Sequence, residues 1–255
     1  MLLSRWKFIK EMLKTGGKTM KTLIKKDLES MSQTLANLIL PYLVSSERLN
    51  VSMTAGSTPN RAYELINERL LASDSQVSES VHFFQQDNLY LSTEPTDYKR
   101  FEYINQSFFA ANQIQDHQIT YLNEETYPVI DQLLIEAGGL DFAIMGIGAD
   151  GHIAANMPGT PFEKTGYRVM IPEDMQGMIQ GSPDFNGPID CYVSIGMKTL
   201  MQTKKIIVIA SGADKAEILA KAFNGPLTPE IPASILQFHP DVTVLCDVAA
   251  GKNLV

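Results

Sequence analysis

Residues 140–159, LDFAIMGIGADGHIAANMPG, decide the fold. Leu140–Met145 is a short, largely apolar run, which reads as a buried strand. It runs straight into Gly146, Gly148 and Gly151, which satisfy the pattern G-x-G-x-x-G. Two readings of that loop compete. A dinucleotide cradle needs a helix opening after the last glycine, then a second strand carrying an acid about 20 residues on. Tyr167–Ile171 could supply the strand, and Glu173 or Asp174 the acid. A catalytic loop instead makes use of Asp150 and His152, because an aspartate two residues from a histidine can orient the imidazole for proton transfer. Pro158 and Gly159 leave little room for a helix, and the Asp150 carboxylate would repel a pyrophosphate. Proton transfer is favoured, with a purely structural histidine as the plain alternative.

Outward from this stretch the chain alternates strand and helix patterns. Lys25–Tyr42 reads as an amphipathic helix, with Leu28, Met31, Leu35, Leu38, Ile39 and Tyr42 on one face. Leu49–Met53, Val81–Phe84, Cys191–Ile195, Lys205–Ala210 and Val242–Cys246 are strand-like. Asn60–Leu71, residues 95–112, residues 124–138 and Lys215–Phe223 read as helices. Apolar strands separated by helices argue a parallel sheet covered on both faces, whose strand C-termini share one edge. Ligands of such folds bind at that edge.

Two further loops follow strands. Thr54–Pro59 (TAGSTP) has a glycine for close approach, a candidate cap in Thr58, and Pro59 early in the helix. Free N–H groups and two hydroxyls at a helix N-terminus suit a phosphate, with Arg61 and Lys215 as charge partners; a plain capped turn is the other reading. Gln85–Asn88 places Asp87 at a strand end, where a carboxylate can act as a general base or sit in a solvated turn. His82, His117 and His239 look structural. No metal-ligand spacing and no G-x-S-x-G motif occurs.

The bulk properties set limits. The chain has 255 residues, 44% of them hydrophobic, and a net charge of −8, which disfavours nonspecific nucleic-acid binding. No stretch approaches the roughly 20 apolar residues of a membrane span. Cys191 and Cys246 read as buried, reduced thiols, which points to the cytoplasm. Residues 1–19 stand apart, with five Lys/Arg against one Glu and an amphipathic pattern that lacks the features of a signal peptide. They are expected to be a basic appendage, with residues 20–255 forming a single domain.

Together the loops resemble the glucosamine-6-phosphate deaminase/6-phosphogluconolactonase family. GIGADGHIAANMPGTPF is similar to its G-x-G-x-D-G-H-I-A-F-N-E-P signature, TAGSTP to its G-G-T-P phosphate loop, and FFQQDNLYL to its F-N-M-D-E-Y-V-G-L segment. The tail GADKAEILAKAFNGPLTPEIPASILQFHPDVTVLCDVAA is similar to the deaminase branch, in I-P-A-S-x-L-Q-x-H and in D-x-A-A. The likeness spans about residues 25–250.

The resemblance implies a Rossmann-like three-layer α/β/α fold with a mostly parallel sheet and no nucleotide, no cofactor and no metal. It implies a phosphorylated sugar as substrate; a further copy of the chain is a candidate partner, nucleic acid and membrane are not. Asp87 would shuttle a proton between C2 and C1 of an opened amino sugar. His152, oriented by Asp150, would assist ring opening, and Gly56, Ser57, Thr58 and Lys215 would hold the phosphate. The chain departs from the pattern at Met157, where the deaminases carry Glu, and at Asn88, where an acid follows Asp87. The arginine that the deaminases place after the signature loop has no counterpart in MQGMIQGSPDF, so Lys164, Arg168 or Arg61 would have to substitute. The lead reading is therefore a hexosamine 6-phosphate isomerase that releases ammonia. Lactone hydrolysis and a non-catalytic sugar-phosphate sensor are the alternatives. Met20 is expected to be the native start; intact-mass measurement of the protein from its own cell should show no N-terminus at Met1.

Overall fold

A computed structural model describes residues 20–91, 104–170 and 189–254. The appendage 1–19, residues 95–103 of the helix expected at 95–112, the stretch MQGMIQGSPDF, Glu173 and Asp174 lie outside the described residues. Ten strands are present among the described residues: β1 Lys21–Lys25, β2 Leu49–Ser52, β3 Val81–Phe84, β4 Asp87–Leu91, β5 Ile119–Thr120, β6 Phe142–Gly146, β7 Tyr167–Met170, β8 Ile189–Ser194, β9 Lys205–Ala210 and β10 Val242–Asp247. The longer helices are α1 Leu28–Leu43, α2 Ser57–Ala72, α3 Ile130–Ala137 and α4 Ala216–Asn224.

Seven strands form one sheet in the order β1-β10-β9-β6-β2-β3-β5, every pair parallel. Strand alternation divides each apolar run between two cores. Ala143, Met145, Ile206 and Val208 join Leu134, Leu219 and Phe223 on one face. Phe142, Ile144, Ile207 and Ile209 join Leu35, Ile39, Tyr63 and Ile66 on the other. The first face is covered by α3 and α4, the second by α1 and α2. This is a three-layer α/β/α fold on a parallel sheet, as the apolar strand runs require. No helix among the described residues is long and apolar enough to cross a membrane.

The sequence reading is corrected at several elements. Lys25 does not open a helix; Lys21–Lys25 is an edge strand beside β10. The helix starts at Leu28 because Asp27 caps it, its carboxylate accepting from Ser30 N at 2.8 Å. Thr58 is not the cap of α2. That helix begins at Ser57 behind Gly56, which has φ +110° and offers no side chain to the first N–H groups. Residues 124–138 become helical only from Tyr127, through one 3-10 turn into α3.

Cys191–Ile195 and, of the expected strand Tyr167–Ile171, the described residues Tyr167–Met170 do not belong to the parallel sheet. β7 and β8 pair antiparallel with each other and β8 with β4, in a separate three-stranded sheet. Cys191 and Cys246 are both buried and form no disulfide, and burial pushes the Cys246 thiol up to about 11, which makes it unreactive.

His239 is structural in detail. Its Nε2 donates to Thr203 O at 2.7 Å and its Nδ1 accepts from Asp241 N at 3.1 Å. Burial lowers its pKa below 6.5, and burial does the same to His82, which lies 2.8 Å from Thr120 Oγ1. The folded state therefore resists a proton that the unfolded chain accepts, so stability is held above pH 6.5 and lost as pH falls below it. His239→Gln keeps a donor for Thr203 and cannot titrate in this range. Melting curves between pH 8 and 5 should show a shallower acid decline for that variant; an identical slope would place the acid sensitivity elsewhere.

Candidate active site

The order of the sheet reverses between β2 and β6: from β2 the chain moves outward through β3 to β5, and from β6 the other way through β9 to β10. Such a reversal opens a crevice at the strand C-termini. The loops after β2 and β6 flank it. A Cβ built on Gly146 would lie 3.8 Å from Thr54 Oγ1, so the two loops are neighbours.

The glycine-rich loop closes on itself through Gly148 N to His152 O, 2.9 Å, and Gly151 N to Gly148 O, 3.0 Å. Asp150 Oδ1 accepts from the His152 backbone N at 3.1 Å and lies 2.7 Å from His152 Nδ1. The hydrogen bond from His152 holds the Asp150 carboxyl down at about 2, so it stays ionised. With Nδ1 engaged, Nε2 is the ring nitrogen left to address a ligand. Two glycines are needed for packing reasons. A Cβ on Gly148 would fall 2.2 Å from His152 Nδ1 and 2.6 Å from Asp150 Oδ1; one on Gly151, at φ +90°, would meet Ile231 Cγ2 at 2.7 Å. After Gly151 the chain makes a tight turn bridged between Ile153 and Asn156, with Ala154 at φ +50°. No helix begins there, and β7 runs antiparallel, so the geometry of a dinucleotide cradle is not formed.

Asp87 reaches the same region by another route. Gln85 and Gln86 carry the chain from the end of β3 into β4, and both are buried. Gln86 Nε2 donates to Ile144 O at 2.6 Å, and Ile195 N donates to Gln86 O at 2.8 Å, which ties β6, the β3–β4 link and the end of β8 together. In the antiparallel sheet Asp87 is opposite Ser194, and Ser194 is opposite Tyr167, so the three side chains share one face. Ser194 Oγ in turn accepts from Ala155 N at 3.2 Å, and Asn156 Nδ2 donates to Ile195 O at 2.9 Å. The Asp87 strand and the His152 loop thus meet at Ser194. Tyr167 donates to Asn156 Oδ1 at 3.1 Å; burial is the main reason its phenol is pushed up to about 12, with the nearby Asp87 charge adding to it.

Ser194, Tyr167 and Asn156 were not singled out from the sequence. The available signal was polar residues at strand positions among apolar neighbours, which only pairing register turns into a shared face. Asn88 is on the opposite face from Asp87, fully buried, its Nδ2 donating to Leu122 O at 3.1 Å.

The cations sort themselves. Arg61 is taken by Glu29, Glu64 and Glu68 at 2.8, 3.1 and 2.9 Å, so it is no charge partner for the Thr54–Pro59 loop. Arg168 pairs with Glu124 at 2.9 Å, and Lys164 lies over the Tyr167 ring at 5.7 Å. Lys215, half-buried after β9, has no ion-pair partner among the described residues. No group of three or more metal-ligating side chains occurs among the described residues.

The family described as glucosamine-6-phosphate isomerases/6-phosphogluconolactonase matches residues 19–245. The chain belongs to this family. A glucosamine-6-phosphate deaminase of Clostridium acetobutylicum is 33% identical over 245 residues, 92% of this chain and all of the relative. Glucosamine-6-phosphate deaminase 2 of Bacillus subtilis is 32% identical, over 92% of this chain and 98% of its own. Among solved structures, a monomeric glucosamine-6-phosphate deaminase aligns with TM-score 0.80 and 25% identity, covering 91% of this chain and 99% of that one. A 6-phosphogluconolactonase from Trypanosoma brucei shares the fold, with TM-score 0.70 at 17% identity.

Within this family member the Asp150–His152 pair rests on a bare position. Gly148→Ala should break that hydrogen bond while leaving the fold intact, because the atoms in the way belong to side chains. Imidazole NMR should report a displaced His152, and the melting temperature should change little. A preserved Nδ1 contact would show that the loop backbone yields instead.

Proposed function

We propose that the protein is a deaminating isomerase of a hexosamine 6-phosphate, glucosamine 6-phosphate or its galactosamine epimer. The observation that carries this is the meeting of the Asp87 strand and the Asp150–His152 loop at Ser194, on the edge where the sheet order reverses. A carboxylate and a carboxylate-oriented imidazole on elements that adjoin at Ser194 support this reading, because proton transfer at adjacent carbons uses such a pair. The deaminase relatives support the choice of substrate.

In this reading His152 exchanges a proton with the ring oxygen, and the sugar opens to its aldehyde. Asp87 removes the proton on C2, the C2–H electrons form the C1–C2 double bond, and the carbonyl oxygen takes a proton. Return of the proton from Asp87 to C1 leaves an imine at C2. Water adds to that imine and ammonia leaves, giving the ketose phosphate. Asp150 keeps the imidazole facing the crevice. Gly56, Ser57 and Thr58 hold the phosphate at the α2 N-terminus, whose first N–H groups no side chain caps, and Lys215 neutralises it. All these residues come from one chain, whose residues from 20 onward act as a single unit. The reduced thiols fit a cytoplasmic enzyme.

One observation favours a second reading. Met157 supplies no carboxylate where the deaminase pattern has Glu, and hydrolysis of a lactone by His152 and water needs none. One assay separates the two: purified protein with glucosamine and galactosamine 6-phosphates, followed for ammonia and ketose phosphate, and in parallel with 6-phosphogluconolactone. Ammonia should appear, and Asp87→Asn should slow it about 10²–10⁴-fold. Lactone hydrolysis without ammonia would establish the hydrolase, and binding with neither product a sensor.

A further inference from the structure

We propose that Asp247 is a positioning residue for the phosphate, acting through Lys215; this rests on the sugar-phosphate reading above. β9 and β10 are neighbours, with Ala210 paired to Cys246, so the residues that follow them emerge side by side at the crevice edge. Asp247 closes β10 and is 7% exposed. Its carboxylate spans both loops. Oδ2 accepts from Ser211 Oγ and from Gly212 N at 3.0 Å, while Oδ1 accepts from Ala250 N at 2.8 Å. Both oxygens are therefore committed to fixed donors.

The bond to Gly212 N matters most. Gly212 is at φ +97°, a conformation that favours glycine, and a Cβ there would meet Asp214 Oδ1 at 2.6 Å. The Gly212 carbonyl then accepts from Lys215 N at 3.2 Å, which starts the 3-10 turn Ala213–Lys215 and sets where Lys215 leaves the backbone at the head of α4. No ion pair tethers the Lys215 ammonium among the described residues, so its backbone anchor decides where its charge goes. A flexible lysine is a point charge whose reach depends on that anchor. The D-V-A-A tail noted in the sequence thereby gains a purpose, since its aspartate holds the cation loop of the adjacent strand.

The test uses the full chain as wild type, Asp247→Asn, Ser211→Ala, Lys215→Met and the Asp247→Asn/Lys215→Met double variant. KM and kcat for glucosamine 6-phosphate are measured, with Kd for inorganic phosphate by calorimetry and melting temperature as the folding control. In Asp247→Asn and Ser211→Ala, KM and phosphate Kd should rise together by about tenfold, the scale of one charge-assisted hydrogen bond, with kcat changed far less. In the Lys215→Met background Asp247→Asn should add little, because the two residues act in series. Additive losses, or a fall in kcat and melting temperature with phosphate Kd unchanged, would overturn the proposal. Ser211→Ala supplies the same reading if the buried Asn fails to fold. If wild type binds phosphate but releases no ammonia, the deaminase reading fails while the phosphate cycle still tests Asp247.

Discussion

The parallel pairing of β6 with β2 on one side and β9 on the other is the constraint on which the rest depends. It is the seam at which the chain stops building outward in one direction and starts in the other. Three of the chemically notable elements hang from strands at or near that seam: the glycine loop from β6, the capless helix from β2, the lysine turn from β9. Two apolar cores, one on each face, hold the seam rigid through alternating side chains of the same strands. The loops can therefore be irregular, even to the point of a non-glycine residue at positive φ, without the crevice losing its shape.

The small antiparallel sheet has a different role. Its strands are too few to build a core of their own, and its contribution is placement. β8 is shared between β4 and β7, so one row of three residues collects Asp87, Ser194 and Tyr167. Buried amides do the fastening: Gln86 to β6, Asn88 to Leu122, Asn156 to Ile153 and Ile195. Each of these amides donates to a backbone carbonyl, which is what makes a polar group acceptable inside a protein.

Legibility in the sequence followed physical scale. Strands such as Val81–Phe84 and Lys205–Ala210 appear where their apolar runs place them, because burial on both faces writes a continuous signal. The edge strand Lys21–Lys25 was hidden, since only one of its sides is paired and its composition is that of a helix start. The Asp150–His152 contact was readable from a spacing of two. Ser194 and Tyr167 were not, because register between strands 27 residues apart is set by tertiary pairing that no local pattern encodes. The capture of Arg61 by three glutamates was equally out of reach: one comes from another helix, and the charges sort only once α1 and α2 pack. Asn88 shows the opposite hazard. Beside Asp87 in sequence, it faces away from it in space, so its departure from the family pattern concerns packing around Leu122 and leaves the Asp87 side of the strand untouched.

Gly148 has a backbone that any residue could adopt; what forbids a side chain is the imidazole lying where it would go. A glycine of that kind belongs to the chemistry and not to the turn. Grafting the aspartate–histidine pair onto another α/β scaffold would consequently require carrying the bare position two residues upstream as well, since that gap is the seat in which the ring lies.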